Sequence, residues 1–230
     1  MERLDVNKSF LEELAQHRDD YYHGNYGYII NRGNGYCFKV YKRVLDGITN
    51  NGQFNISETE SSRDLELLER LDKIRKSLYP IEPPVAGIFY DNNYIGNIQI
   101  YYDGYESIRN GTKNKKIDNE TMFTLLSKIL EMIRVLANND TVYSDMHYGN
   151  LIYKDNDVKL IDLDDGIRIE CKKYMKSTES MYDFFCRYML QYYFREYHLD
   201  LFLSKYRDFN YENSSKYLEY VSTEIMNKSK

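Results

Sequence analysis

Asp145, Asn150 and Asp162 are the residues whose types and spacing could do chemistry. Asn150 follows Asp145 by five positions, and Asp162 follows Asn150 by twelve. The first two fall in Tyr143-Ser-Asp-Met-His-Tyr-Gly-Asn-Leu-Ile-Tyr153, and the third in Val158-Lys-Leu-Ile-Asp-Leu-Asp-Asp-Gly166. Between these runs, Lys154-Asp155-Asn156-Asp157 reads as a turn. The flanking apolar residues predict a tight β-hairpin, Leu151–Tyr153 with Val158–Ile161. Such a hairpin sets Asn150 and Asp162 side by side at one rim. Two oxygen ligands fixed there suit a hard divalent ion such as Mg²⁺. Asp145 then lies near enough to orient a hydroxyl nucleophile. The plain alternative is a solvated loop in an Asn- and Asp-rich chain. Three matches at this spacing, after a helix and around a hairpin, argue against it.

Two further segments must position these residues. Phe123, Leu126, Ile129, Leu130, Ile133 and Leu136 predict a helix over 119–138 that enters the loop. Upstream, the runs 26–30 and 36–41 flank Asn31-Arg-Gly-Asn-Gly35, a hairpin signal. A short helix is expected over 8–18. Residues 50–62 read as a loop, and the leucine stripe over 63–78 reads as a helix ended by Pro80, Pro83 and Pro84. Residues 85–90 and 94–102 predict a second hairpin, with a turn at Asp103-Gly104. Helices return near 179–196, 199–206 and 214–226. The pattern changes from β-like to helical near residue 104. The fold class expected is therefore α+β, with a small antiparallel sheet whose strands surround one helix in the first part and a mostly helical second part.

Composition narrows the function classes. The chain has 230 residues, which allows one domain or two small lobes. Hydrophobic residues at 42% and charged residues at 29% describe a globular protein rather than a disordered or coiled-coil chain. A net charge of −5 argues against a general nucleic-acid binder, which needs clustered Lys and Arg. Cys37, Cys171 and Cys186 show no zinc spacing and read as reduced thiols. No apolar run approaches a membrane span, and the first 25 residues show no secretory signal pattern.

The stretch from Tyr143 to Gly166 resembles the catalytic core of the protein-kinase-like superfamily. The family pattern HxDxxxxN is matched from Tyr143 through Asp145 to Asn150, with Tyr143 in place of His. Asp162-Leu163-Asp164 resembles the DFG triplet. His147, two after Asp145, resembles the aminoglycoside-phosphotransferase branch, although a histidine there more often structures the loop than acts as a base. Cys37-Phe38-Lys39 resembles the Ala-x-Lys strand. Gly24 and Gly27, with Ile29 over the adenine, resemble a glycine loop that has lost its first Gly. Asp64 matches the acid of the following helix, with Glu66 as the alternative. Ile100 to Gly104 resembles the gatekeeper and hinge. Tyr182-Asp183 resembles the helix whose Asp holds the catalytic loop. The resemblance covers about residues 20–195.

It implies a two-lobed fold, with an N-lobe at about 1–102, a C-lobe at about 103–230, and ATP under the Gly24–Gly27 turn. Lys39 would hold the α/β phosphates and Asp64 would fix Lys39. Tyr101 and Asp103 would bond adenine through their backbones. Asn150 and Asp162 would bind Mg²⁺, with Asp145 taking or orienting the hydroxyl proton. Asp165 reads as solvated, and Asp164 stays open between ligand and solvated charge. The segments after Asp162 and between Gly104 and Asn119 are short, which fits a constitutively assembled protein Ser/Thr kinase. A small-molecule kinase, a nucleotide-binding pseudokinase and an AMP transferase stay as alternatives. The expected partner is a protein substrate, and the expected location is the cytoplasm, a host's if the chain is a delivered effector. Oligomeric state is not legible.

Overall fold

The computed structural model describes residues 2–16, 22–23, 27–51, 58–163, 167–169, 178–194 and 208–228. The architecture is mixed α and β. The chain divides into two compact units, Met1–Lys76 with Glu82–Asp103, and Ser77–Ile81 with Gly104–Lys230.

The first unit is built on one sheet. Its strands are β1 (Glu2–Asp5), β2 (Tyr22–His23), β3 (Gly27–Asn31), β4 (Tyr36–Tyr41), β5 (Ala86–Tyr90) and β6 (Asn93–Ile100). They lie in the order β1-β5-β6-β4-β3-β2. Both expected hairpins form, β3 with β4 and β5 with β6. Strand alternation divides the side chains between two faces. Tyr28, Ile30, Val40 and Ile88 pack on one face against Leu11 and Leu14 of α1 (Lys8–Gln16), and against Val44, Leu45 and Ile48 of α2 (Lys42–Asn51). Lys39 points to the other face, opposite Asn97 of β6. That face carries α3 (Glu58–Ile74), which packs along β6 and buries Leu68 and Leu71.

This unit departs from expectation in three ways. Among the described residues it has three helices, α1 and α3 near the two that the periodicity predicts and α2 besides. Helix α2 fills residues 42–51, for which no element was expected before residue 50, and α3 begins at Glu58, inside the expected loop and before Arg63. The apolar triplet of α2 is hidden in sequence because the helix follows β4 with no turn residue between them. Strand β1 pairs with β5 in parallel, so the sheet is not wholly antiparallel. Its Arg3 guanidinium stacks 4.1 Å above the Phe89 ring and bonds Asp5 and Asn92, which fastens a short polar edge strand.

The second unit centres on α5 (Asn119–Asn138), with the bounds expected from its periodicity. Asp118 caps it by accepting the Thr121 N–H at 2.8 Å. Helix α8 (Tyr211–Lys228) and helix α6 (Thr178–Phe184) lie against α5. Helix α6 continues through a π-helical stretch, Phe185–Leu190, into the single turn α7 (Gln191–Tyr193). The segment after Gly104 holds β7 (Glu106–Ser107) and α4 (Ile108–Lys113). Strands β9 (Leu151–Lys154) and β10 (Asp157–Leu160) form the expected hairpin, and β7 pairs along β9. Strand β8 (Thr141–Tyr143) pairs with β11 (Ile167–Ile169). The helix expected at 199–206 lies outside the described residues.

Cys37 and Cys186 are buried, and burial pushes their thiols up to about 11 and about 12. Neither is a thiolate nucleophile near neutral pH. No described helix is long and apolar enough to cross a membrane.

Candidate active site

Strand β8 ends in a loop, 144–150, that hydrogen bonds tie to Arg109 of α4, to Ile161 at the exit of β10 and to Met189. Its key side chain is Asn150. The Asn150 Nδ2 group faces three oxygens: the Asp145 carboxylate at 2.8 Å, the Asp145 carbonyl at 3.1 Å and the Tyr143 hydroxyl at 3.0 Å. Its Oδ1 therefore faces away from Asp145. The Asn150 carbonyl accepts the Ile161 N–H at 3.0 Å, so the loop and the exit of β10 are joined one residue before Asp162. The structure thus brings Asp145, Asn150 and the backbone of Asp162 together.

Asp162 stands at φ 64°. The other non-glycine residues at positive φ sit in hairpin turns or at helix ends, where Asn and Asp relieve local crowding. Asp162 lies at the exit of β10, directly before Leu163. An uncommon backbone conformation persists where its surroundings dictate it, and such residues cluster at functional sites.

Tyr143 supplies part of that fixing. It is fully buried, and its hydroxyl donates to the Ile161 carbonyl at 2.9 Å while accepting from Asn150 Nδ2. One hydroxyl therefore links the Asn150 side chain to the carbonyl of Ile161, the residue before Asp162. The Tyr143 N–H is itself held by Met181 Sδ at 3.4 Å. Tyr143→Phe keeps the packing and removes the link. We expect a loss of about 1–3 kcal/mol in stability and about a tenfold fall in turnover, checked by thermal denaturation and steady-state rates. A variant with wild-type turnover would show that the hydroxyl does not position the site.

His147 shapes the loop. Its Nδ1 accepts N–H groups from Gly149 at 2.9 Å and Asn150 at 3.2 Å. A neutral ring must then carry its hydrogen on Nε2, which lies 3.6 Å from Asp145 Oδ1. The ring flanks one carboxylate oxygen while Asn150 binds the other. Gly149 is required for this packing, because a Cβ there would stand 2.8 Å from His147 Cε1.

In the first unit, Lys39 is buried on β4, opposite Ile29 of β3 and Asn97 of β6. Gly27 sits diagonally across, and a Cβ there would meet the Lys39 stem at 3.5 Å. Tyr41 lies two residues along β4 on the Lys39 face, and its hydroxyl donates to Asp64. The Arg63 guanidinium reaches the other Asp64 oxygen at 3.1 Å. Asp64 is buried, whereas Glu66 is exposed and pairs with Arg70 at 2.7 Å. The acid of α3 that lies over the Lys39 face is Asp64. The Tyr101 N–H donates to the Gly35 carbonyl at 2.8 Å, so this donor is already engaged within the unit. Asp103 is exposed in the turn with Gly104. Gly24, Asp164 and Asp165 lie outside the described residues.

One expectation is corrected. Asp183 pairs with Arg187 one turn along its own helix, not with the 144–150 loop. The neighbouring helical segments hold the loop through Met181 and through Met189, whose carbonyl accepts the Tyr148 hydroxyl at 2.6 Å. Sequence reasoning also missed the bracing roles of Tyr41 and Tyr143. Strand alternation placed Tyr41 on the correct face but could not name its partner. No family model and no curated protein matches the chain.

Proposed function

We propose that this chain is a protein kinase that transfers the γ-phosphoryl group of ATP, with Mg²⁺, to a serine or threonine hydroxyl. One observation carries the reading. Asn150 clamps Asp145 with its amide nitrogen and is tied by its backbone to the residue before Asp162, whose own backbone is held at positive φ. We read the two compact units as the N- and C-lobes of a protein-kinase-like fold.

The donor set fits Mg²⁺. Asn150 Oδ1 faces away from Asp145, and Asp162 adds carboxylate oxygens. Mg²⁺ takes one or two such protein ligands and completes its shell with phosphate oxygens and water. When bound, the ion would neutralise charge on the phosphates. Lys39 would hold the α/β phosphates, with Asp64 fixing the lysine. Asp145 accepts the proton of the acceptor hydroxyl. The acceptor oxygen forms its bond to the γ-phosphorus as the bond to the β-phosphate oxygen breaks, and that electron pair leaves with ADP. His147 cannot serve as base through Nδ1, which two backbone N–H groups occupy.

A protein acceptor is favoured over a small molecule because the segment between Gly104 and Asn119 forms only β7 and the six-residue α4. It offers little to wall a small-molecule pocket.

The test is incubation with γ-labelled ATP and Mg²⁺, wild type beside Asp162→Ala, with eukaryotic and bacterial lysates as acceptors. Label in protein with ADP released, by the wild type only, is the expected result. ADP without labelled protein would redirect the acceptor to a small hydroxyl compound. Pyrophosphate would mean AMP transfer. No turnover despite nucleotide binding would make the chain a pseudokinase.

A further inference from the structure

Beside the loop that carries Asp145 lies a cation that phosphoryl transfer itself does not use. Arg109 is exposed on α4, and its backbone N–H donates to the Tyr148 carbonyl at 3.0 Å, which fastens the helix to the loop. A Cβ at Gly149 would lie 3.4 Å from Arg109 Cζ and 2.8 Å from His147 Cε1. The guanidinium and the imidazole therefore flank the same bare Cα. The imidazole in turn flanks the Asp145 carboxylate.

Lys113 is four residues along α4, on the same face as Arg109, and is also exposed. Among the described residues neither side chain makes a hydrogen bond or an ion pair. Like charges at this spacing oppose helix formation mildly. The nearby carboxylate, Glu106, is engaged by Lys116 and by the Tyr153 hydroxyl. In a chain of net charge −5, these two cations share one face of one short helix, and among the described residues nothing neutralises them.

The geometry points to Arg109 and Lys113 as the site that reads the acceptor, selecting protein segments with acidic residues beside the phosphorylated serine or threonine. This rests on the phosphoryl-transfer reading and names its substrate class. The guanidinium fork matches a carboxylate in two hydrogen bonds, and Lys113 adds a second point charge. Gly149 leaves the approach between the guanidinium and the loop free of a side chain.

The test uses the full chain and three fluorescent peptides that differ only in flanking charge, with Ala at the acceptor position: Glu/Asp-flanked, neutral and Lys/Arg-flanked. Binding is read by anisotropy at low salt, for wild type, Arg109→Ala and the double variant Arg109→Glu with Lys113→Glu. The wild type should bind the acidic peptide about tenfold more tightly than the basic one. Arg109→Ala should lose part of that preference, the double variant should lose or reverse it, and added salt should weaken it. Both sites are exposed and without a partner among the described residues, so thermal denaturation should be unchanged. Equal binding of the three peptides, or an acidic preference that survives the double variant, would overturn the assignment. Matching peptides with Ser restored and labelled ATP separate the two claims. Label without charge preference removes the anion site and leaves transfer standing. Charge preference without label removes transfer and leaves the anion site.

Discussion

Replacing Asp145 with Asn should lower turnover by about 10²–10⁴-fold, the range lost with a general base. The substitution is chosen because it keeps the shape of the site. Asn150 Nδ2 donates to Asp145 at 2.8 Å, and an Asn at 145 still offers it an oxygen. The Asp145 backbone carbonyl, which also accepts from Asn150, is untouched. What disappears is the negative charge and the ability to take a proton. Asp145 is exposed, so its neutralisation uncovers no buried unpaired group and stability should change little. Nucleotide affinity should stay within a few-fold, because the phosphates and the metal are assigned to Lys39, Asn150 and Asp162. Retained turnover would remove Asp145 from the chemistry. Lost folding would show that its bond to Asn150 is structural before it is catalytic.

The largest expected loss of stability comes from one methyl group, in Gly96→Ala. Gly96 lies on β6 opposite Val40 of β4. A Cβ there would stand 2.1 Å from the Lys39 carbonyl oxygen and 2.9 Å from Val40 Cα. Both are backbone atoms, so no rotamer can relieve the clash. The two central strands must separate, in a sheet whose faces are covered by α1 and α2 on one side and α3 on the other. Overpacking typically costs ~1–3 kcal/mol, and a clash with fixed backbone belongs at or above the top of that range. The same shift moves Lys39 away from Asn97 and from the face that Asp64 covers. We expect Gly96→Ala to lose stability by about 3 kcal/mol or more and to weaken ATP binding with it, checked by denaturant titration and nucleotide binding. A wild-type melting curve would contradict the packing described.

The part of the site nearest in sequence was the most legible. Leu151 to Leu160 close on themselves through one turn, so alternation alone placed Asn150 beside the exit of β10. Helix α5 was readable to its ends because nine buried residues repeat at helical spacing and Asp118 offers a cap. Pairings chosen by tertiary packing were not legible. Strand β1 has one apolar residue in Glu2–Asp5 and finds its partner on β5 more than eighty residues away. Tyr143 could be placed in the slot of the family histidine, but only the folded chain decides that its hydroxyl turns to Ile161 and Asn150. Asp183 shows the converse. Its position matched a family acid, yet Arg187 at helical spacing is the partner within reach. The choice between Asp64 and Glu66 also depended on burial: Tyr41 and Arg63 gather on one, and Arg70 draws the other to solvent.

The proposed chemistry requires Asn150 and Asp162 to hold one metal ion on a nucleotide. A crystal structure of the full chain with Mg²⁺ and a non-hydrolysable ATP analogue tests it most directly. A cation is expected at about 2.1 Å from Asn150 Oδ1 and from an Asp162 carboxylate oxygen, bridging to phosphate oxygens. A nucleotide bound elsewhere, or a cation that touches neither residue, would contradict it.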